Sequence, residues 1–118
     1  MSERKPTTSF DAFAALDIRA GRIVRVEPFP EARKPAFKIW VDFGESIGVL
    51  ASSAQLTKRY SVDTLLDATV LAVVNFPPRR IAGFESQILI LGVINPSDPG
   101  DVVLVRPDST GTTGWPLG

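Results

Sequence analysis

The sequence predicts an all-β domain built around a small barrel, and three observations support this. Residues 37–43 alternate apolar and polar side chains with the period of two that places one face of a strand in a core. Residues 70–74 and 88–91 are continuously apolar, which is typical of strands covered on both faces. Helical spacing is confined to short segments, and 118 residues with 44% hydrophobic side chains suit one globular domain.

The first half of the chain predicts one short helix and three strands. Apolar residues recur at helical spacing over residues 9–16, where Ser9 is placed to cap the helix N-terminus. The first strand carries Gly21, which we interpret as a bulge or bend. A loop with three prolines at residues 28–35 cannot continue that strand. The three strands are predicted at residues 18–26, 37–43 and 47–51.

The second half predicts a short helical region and the remaining strands. Ser52 and Ser53 are placed to cap a helical turn that begins near Ala54, and Ser61 is placed to cap a second turn at residues 62–66. Further strands are predicted at residues 69–75, 87–94 and 102–105, before a polar tail. Three strands, a small helix and two more strands form the order of an OB-fold, a five-stranded Greek-key barrel.

The two continuously apolar strands also indicate how the protein assembles. A small antiparallel barrel normally exposes its outer face to water, so residues 70–74 and 88–91 require cover from outside the barrel. The N-terminal helix, the C-terminal tail or a second subunit can supply this cover. Isologous dimers are the commonest assembly of such proteins, and we therefore expect a homodimer.

The composition excludes several classes of function. The chain has no cysteine and no histidine, which excludes a disulfide framework, a Ser-His or Cys-His nucleophile and an ordinary zinc site. We therefore predict no catalytic residue, no metal and no cofactor, and we expect a binding protein rather than an enzyme. The polar N-terminus and the lack of a long apolar run predict a cytoplasmic protein that does not insert into membranes.

Positive charge is concentrated locally, although the net charge is zero. Six cations and only two carboxylates lie within residues 19–38. A further pair, Arg79 and Arg80, directly follows Pro77 and Pro78, whose rings stiffen the chain. Two guanidinium groups on a braced loop suit phosphate, so the pattern predicts modest, salt-sensitive binding of a polyanion. Ordinary solvated charges are the alternative for residues 19–38.

The strongest candidates for RNA contacts surround this loop. Arg79 and Arg80 are predicted to contact phosphates, or alternatively to lie in solvent with a salt bridge to Glu85. The candidates at the flanking strand ends either hydrogen-bond a ribose or base or cap the turn; they are Asn75, Ser86 and Gln87. Two lysines are further candidates for contacts to the RNA backbone, unless they only cover apolar surface; they are Lys34 and Lys38. Arg33 is a weaker candidate of the same kind.

Aromatic residues near the loop suggest a second kind of ligand. If Phe76 and Phe84 are exposed, they form an apolar site for a peptide together with Pro77; if they are buried, they anchor the loop. Trp40 either stacks on a base or has a structural role, and we favour the structural role. Further polar candidates stand in the serine-rich segment, and helix capping alone explains one of them; they are Ser52, Ser53 and Gln55.

Five motifs in order resemble one protein family. They occupy residues 17–23, 29–36, 41–44, 52–57 and 73–92, the last with an Asn-Phe-Pro-Pro core. The chain resembles the CsaA family of secretion-related chaperones, which belongs to the wider group of structure-specific tRNA-binding domains. The general pattern of that group has a Gly-Met pair where this chain has Ile88 and Leu89, so a CsaA-type surface is favoured. The resemblance covers residues 10–106, the core of a single domain predicted to span residues 1–118.

The resemblance implies an OB-fold homodimer that binds tRNA by its shape. It also implies chaperone-like binding of unfolded or precursor polypeptides in protein export, with the export machinery as a further partner. A tRNA-binding module that acts on tRNA or on synthetases, without a chaperone role, is the alternative. RNA and peptide can also compete for one surface.

Overall fold

The computed structural model describes residues 3–118 and has the predicted all-β architecture. Five antiparallel strands form one sheet in the order β3-β2-β1-β4-β7, which curls into a nearly closed barrel. Two short helices and two additional hairpins complete the chain. The elements are α1 Phe10–Ala14, β1 Ile18–Pro28, β2 Phe37–Asp42, β3 Val49–Ala54, α2 Val62–Leu65, β4 Thr69–Val73, β5 Arg79–Ile81, β6 Phe84–Ser86, β7 Leu89–Ile90, β8 Gly92–Asn95 and β9 Asp98–Leu104.

The fold class predicted from the sequence, an OB-fold-type barrel with a short N-terminal helix and a helix between the third and fourth strands, is confirmed. The alternation in β2 places Ile39 and Val41 in the core, where both side chains are fully buried. The second helix also forms as predicted, because Ser61 and Thr64 make a capping box in which each side chain bonds the other's backbone amide.

Gly21 serves close packing rather than the predicted bulge. A Cβ atom at Gly21 would lie 2.5 Å from Val41 Cγ1 and 2.7 Å from the Phe43 ring, so any larger residue would clash with the core. The irregularity in β1 lies further along, where the pairing with β2 shifts register between Ile23 and Arg25. The shift allows Ile23 and Val26, which are three residues apart, both to face the core, where both are buried.

The prediction of a helical turn near Ala54 is wrong. Ser52, Ser53 and Ala54 belong to β3 and pair with β2, in the register Ile39 to Ser52. Two serines can cap a helix, but a complete backbone ladder with β2 satisfies more polar groups than one cap would. The strand predicted at residues 47–51 therefore lies later, at Val49–Ala54.

The barrel closes through side chains as well as through backbone. The Gln87 backbone amide donates to the Ala51 carbonyl at 2.8 Å, and the Ala51 amide donates to Gln87 Oε1 at 2.9 Å. The Ser53 amide donates to Ser86 Oγ at 3.0 Å. These bonds occupy the edge of β3 that faces β7, and so they seal the gap between the first and last strands of the sheet.

The predicted strand at residues 87–94 is interrupted, and its second half forms a hairpin with β9. The segment from residue 55 to residue 60 holds this hairpin by two ion pairs. Lys58 Nζ lies 2.6 Å from Asp98 Oδ2, and the Arg59 guanidinium makes two hydrogen bonds to the Asp101 carboxylate. Asn95 donates a further bond to Asp101 at 3.0 Å. These bonds hold the pKa of Asp101 at about 2, below its ordinary value, with the bond from Arg59 as the largest cause.

The C-terminal segment extends the sheet on the free side of β1. The Ala20 amide donates to the Trp115 carbonyl at 3.0 Å, and the Leu117 amide donates to the Ile18 carbonyl at 2.8 Å. Gly114 makes the approach possible, since a Cβ there would lie 2.6 Å from the Phe43 carbonyl oxygen. This segment therefore adds backbone pairs to a part of β1 that β2 does not reach.

Two of the regions with exposed apolar side chains are α1 and the last three strands. The helix α1 has no buried residue, and Ser9 stands at its N-cap position without a side-chain capping bond. The second region lies on β7, β8 and β9; its exposed apolar residues are Leu89, Val93, Ile94 and Val103. Within residues 3–118, no helix is long and apolar enough to cross a membrane.

Candidate nucleic-acid interface

The residues predicted as a rigid basic loop form a hairpin instead. Strands β5 and β6 pair antiparallel, in the register Arg79 to Ser86, and a two-residue turn joins them. Both turn residues have positive φ, 48° at Ala82 and 81° at Gly83. Such a turn matches the twist of the two strands it joins. The hairpin therefore presents its two arginines from a paired backbone rather than from an irregular loop.

An open cleft of about 390 Å³ separates this hairpin from the proline-rich loop after β1. Four cations line it from two distant parts of the sequence; they are Arg33, Lys34, Arg79 and Arg80. The neutral polar residues Ser53 and Gln55 line it as well, with Ala36, Ile81 and Ala82 among its apolar residues. We call this site the basic cleft. The structure thus brings together three of the predicted RNA contacts, Lys34, Arg79 and Arg80.

The cations of the basic cleft differ from most others of the described chain because none of them forms an ion pair within residues 3–118. Glu85 stands opposite Arg80 in the hairpin register, but the alternative salt bridge to Glu85 does not form. Arg80 Nη2 instead donates to the Gly83 carbonyl at 2.8 Å, within its own turn. Both arginines are exposed, so their remaining donors face solvent.

Lys38 lies outside this cleft and contacts aromatic rings. Its Nζ atom is 4.9 Å from the ring centre of Phe29 and 5.2 Å from that of Phe84, within the range of cation–π attraction. Phe84 also packs edge-on against Phe29 and against Trp40, at centroid distances of 5.5 and 5.8 Å. Arg25 covers the Trp40 ring at 4.5 Å. We call these five residues the aromatic cluster.

The aromatic cluster favours one of the two interpretations of Phe84. The side chain is half-buried and packs against Trp40 of β2, which favours the anchoring role over that of an exposed peptide contact. Phe29 is 3% exposed and has the same role. Arg25 covers the Trp40 ring, which favours the structural role over base stacking.

Three further predicted RNA contacts have polar atoms that bind the protein's own backbone. Asn75 accepts from the Asp17 amide at 2.9 Å and donates to the Ala15 carbonyl at 2.9 Å, and so it ties the end of β4 to the segment after α1. Ser86 and Gln87 bond to β3 across the barrel seam, as described above. In this structure the polar atoms of all three stabilise the frame around the cleft.

A second, smaller cavity of about 200 Å³ adjoins the basic cleft. Phe76, Pro77 and Leu89 line it, and Phe76 and Leu89 are 44% and 50% exposed. It shares Ser53, Arg79 and Ile81 with the basic cleft. We call it the apolar cavity. It contains two of the three predicted peptide contacts, Phe76 and Pro77, and lacks Phe84.

Sequence reasoning missed Leu89 and Ile81 as site residues. Leu89 belongs to a continuously apolar run, in which nothing local distinguishes an outward side chain from a buried one. Ile81 lies beside the two arginines, but its place between two cavities depends on how the hairpin folds. No group of three or more metal-binding side chains occurs within residues 3–118.

Comparison with known proteins gives one family and close structural neighbours. Residues 18–116 match the family described as "Putative tRNA binding domain". The crystal structure of the chaperone CsaA from Bacillus anthracis strain Ames is 43% identical, with 96% of this chain and 100% of that chain covered and a TM-score of 0.89. The CsaA chaperone protein from Picrophilus torridus is 41% identical, with 95% and 100% covered and a TM-score of 0.87.

Curated relatives include much longer proteins. A methionine–tRNA ligase from Pyrococcus horikoshii is 36% identical over 99 residues. The match covers 84% of this chain but only 13% of the ligase. The similarity therefore concerns one domain of that enzyme, and its whole activity does not transfer to this chain.

Proposed function

Since this chain belongs to the CsaA family of tRNA-binding domains, we propose that residues 1–118 act as one domain that holds tRNA in the basic cleft and carries out no reaction on it. The observation that carries this proposal is a set of four cations on the walls of one open cleft, none of which forms an ion pair with any of residues 3–118. When such a cation binds a phosphate, it gives up only water and counterions. It does not first have to break an ion pair within the protein.

The chemistry of the cleft favours recognition of the RNA backbone over recognition of bases. No aromatic side chain is among its lining residues, so it offers no platform on which a base could stack. The two guanidinium groups on β5 can each bind a phosphate in bidentate fashion. The cleft thus suits a bent or folded backbone, and folded RNA is recognised largely by such contacts.

A pair of matched double variants tests the proposal. Arg79→Ala with Arg80→Ala should weaken tRNA binding about 30-fold, because two charge-assisted contacts are lost. The slope of log K against log salt should flatten by about 1.5, as expected for two phosphate contacts. Filter binding or fluorescence anisotropy at several salt concentrations measures both quantities.

The control removes two guanidinium groups that are already paired. Arg22 binds Asp67 and Arg59 binds Asp101. Both arginines are exposed, as are Arg79 and Arg80. Arg22→Ala with Arg59→Ala should change tRNA affinity less than threefold and leave the salt slope nearly unchanged. Equal losses in the two double variants would mean that the overall charge, and not the basic cleft, binds tRNA.

A chaperone function is the second candidate, and the apolar cavity favours it. Phe76 and Leu89 expose large apolar surfaces beside Pro77, which suits an extended apolar segment of an unfolded or precursor polypeptide. Since Arg79, Ile81 and Ser53 line both cavities, a bound peptide and a bound tRNA would exclude each other. We place this activity in protein export, from the cytoplasmic side and with the export machinery as a partner.

One substitution with a matched control tests the chaperone function. Phe76→Ser should reduce suppression of the aggregation of an unfolded precursor, because it removes the aromatic wall of the cavity. Phe10→Ser is the control, since Phe10 is 77% exposed but lies on α1, outside the cavity. Light scattering measures aggregation, and competition with tRNA in the same assay tests the shared surface. Equal effects of the two variants would mean that exposed apolar surface in general, and not the apolar cavity, suppresses aggregation.

We also propose that the protein acts as a homodimer. The exposed apolar residues of β8 and β9, which are Val93, Ile94 and Val103, lie outside the apolar cavity and are covered by none of residues 3–118, although β4 itself is largely buried. A second copy can cover this face and would place two basic cleft sites on one particle. Sedimentation of the wild type and of Val93→Glu with Ile94→Glu tests this, since the charged variant should be a monomer.

A further inference from the structure

Two neutral polar side chains of the basic cleft have no hydrogen-bond partner among residues 3–118. Ser53 is bonded through its backbone, whose amide donates to Ser86 Oγ and whose carbonyl accepts from Ser52 Oγ. The Ser53 hydroxyl and the Gln55 amide make no hydrogen bond with any residue of the described chain, 3–118. This distinguishes them from Asn75, Ser86 and Gln87, whose side chains all bind backbone groups.

The chemistry of these two groups differs from that of the surrounding cations. Arginine and lysine only donate hydrogen bonds, which suits phosphate oxygens that only accept them. The Ser53 hydroxyl and the Gln55 carbonyl oxygen also accept. Among the groups along an RNA backbone, the ribose 2′-hydroxyl is the one that donates, and it is the group that DNA lacks.

We propose that Ser53 and Gln55 recognise ribose 2′-hydroxyl groups of a strand held in the basic cleft, and that they make the cleft selective for RNA over DNA. The proposal deepens the tRNA-binding function and rests on it. The cations hold the strand through its phosphates without distinguishing the two sugars. The two acceptors then favour the strand whose sugars can donate.

The position of Ser53 supports this assignment. It lies on β3, opposite Lys38 in the register with β2, and its backbone is fixed on the other side by Ser86. The hydroxyl is therefore carried by a strand bonded on both edges, while the cations reach the cleft from the hairpin and from a loop. A side chain that must discriminate ribose from deoxyribose by one oxygen atom requires a fixed position, and a rigid strand provides it.

The test compares two versions of one tRNA transcript, one with 2′-hydroxyl groups and one with 2′-fluoro groups throughout. Fluorine keeps the phosphate charge and the A-form sugar pucker but cannot donate a hydrogen bond. Wild-type protein should bind the hydroxyl form about fivefold more tightly, as expected for one or two additional hydrogen bonds. Ser53→Ala and Gln55→Met should each reduce this ratio, and the double variant should bring it close to one. Affinity for the fluoro form should stay unchanged.

The control is Asn95→Leu, which likewise replaces an amide that is already bonded, here to Asp101 outside the basic cleft, by an apolar side chain of similar size. It should lower the thermal midpoint of unfolding and leave the ratio of affinities unchanged. Equal weakening of both transcripts by Ser53→Ala and Gln55→Met would overturn the proposal and assign the groups to phosphate. Equal wild-type affinity for the two transcripts would also overturn it, while the tRNA-binding function would stand. If wild type bound neither transcript, the proposed function itself would fail.

Discussion

The two hairpins that follow β4 carry opposite charges and use them differently. In the acidic hairpin, β8 and β9, the carboxylates of Asp98 and Asp101 bind Lys58 and Arg59 of the segment beside them. In the basic hairpin, β5 and β6, the arginines form no ion pair with any of the described residues. The carboxylates of the acidic hairpin are thus neutralised by ion pairs within the fold. The arginines of the basic hairpin are available to bind a ligand.

The hairpins also differ in how they are attached. The acidic hairpin is held by polar bonds and by backbone contacts, such as the Leu91 amide donating to the Leu71 carbonyl at 2.9 Å. The basic hairpin is held by the Phe84 ring in the aromatic cluster and by the hydrogen bond between Ser86 and the Ser53 amide, without an ion pair to any of the described residues. An anchor without ion pairs leaves the guanidinium N–H groups of the hairpin free to bind a ligand. An ion pair that held the hairpin in place would occupy those same donors.

Removal of the Phe84 ring should have the largest effect on the stability and on the tRNA affinity of the basic hairpin. Phe84→Ala removes a half-buried ring and its contacts with Phe29 and Trp40, so we expect the free energy of unfolding to fall by about 2 kcal/mol. The arginines would lose their fixed position, and tRNA affinity should fall several-fold. Urea unfolding and tRNA titration measure the two effects.

Phe84→Leu is the matched control for that change. Leucine keeps an apolar contact with the aromatic cluster, and we expect it to retain more than half of the lost stability. The reverse pattern, unchanged stability together with lost peptide binding, would contradict the anchoring role. It would return Phe84 to the exposed peptide site that was the other interpretation of the sequence.

The frame of the fold could be predicted from the sequence because its signals are local. The alternation in β2 and the cap at Ser61 each lie within a few residues, and each determines one element. The barrel seam could not be predicted in this way. Gln87 and Ser86 bond to strand residues more than 30 positions earlier, and no spacing within either segment indicates that contact. The serines of β3 were misassigned for the same reason.

The candidate site was predictable in part. The cations at residues 33–34 and 79–80 were identified from charge and from the family motifs, and the structure brings both pairs to one cleft. The burial of individual aromatic rings was not predictable. Phe76 and Phe84 bracket the same hairpin, yet among the described residues only Phe84 has aromatic ring partners, because it faces β2.

Acid should affect the acidic hairpin and spare the basic one. The pKa of Asp101 is about 2 in the folded protein, below its ordinary value of 3.8. A depressed pKa contributes stability that is present above about pH 4 and is lost as the pH falls toward 2. Thermal unfolding followed between pH 5 and pH 2 should therefore show a falling midpoint. The loss should be smaller than that caused by Phe84→Ala, since the pair is on the surface.

Asp101→Asn provides the control for the acid effect. The variant should have a lower midpoint than wild type at pH 7 and a flatter dependence on pH below 4, because the group that titrates is gone. An unchanged pH dependence in Asp101→Asn would assign the acid loss to other carboxylates.

The smallest expected effect lies in the turn of the basic hairpin. Ala82 has a φ of 48°, a left-handed conformation that costs energy for alanine and less for asparagine. Ala82→Asn should therefore raise the free energy of unfolding by about 0.5 kcal/mol, whereas Gly83→Ala, at a φ of 81°, should lower it by about 1 kcal/mol. Chemical denaturation measures both.

Because Ala82 also lines the basic cleft, Ala82→Asn also tests what the strained alanine contributes to tRNA binding. Weaker tRNA binding by the more stable Ala82→Asn protein would show that a small side chain is required there at the expense of stability.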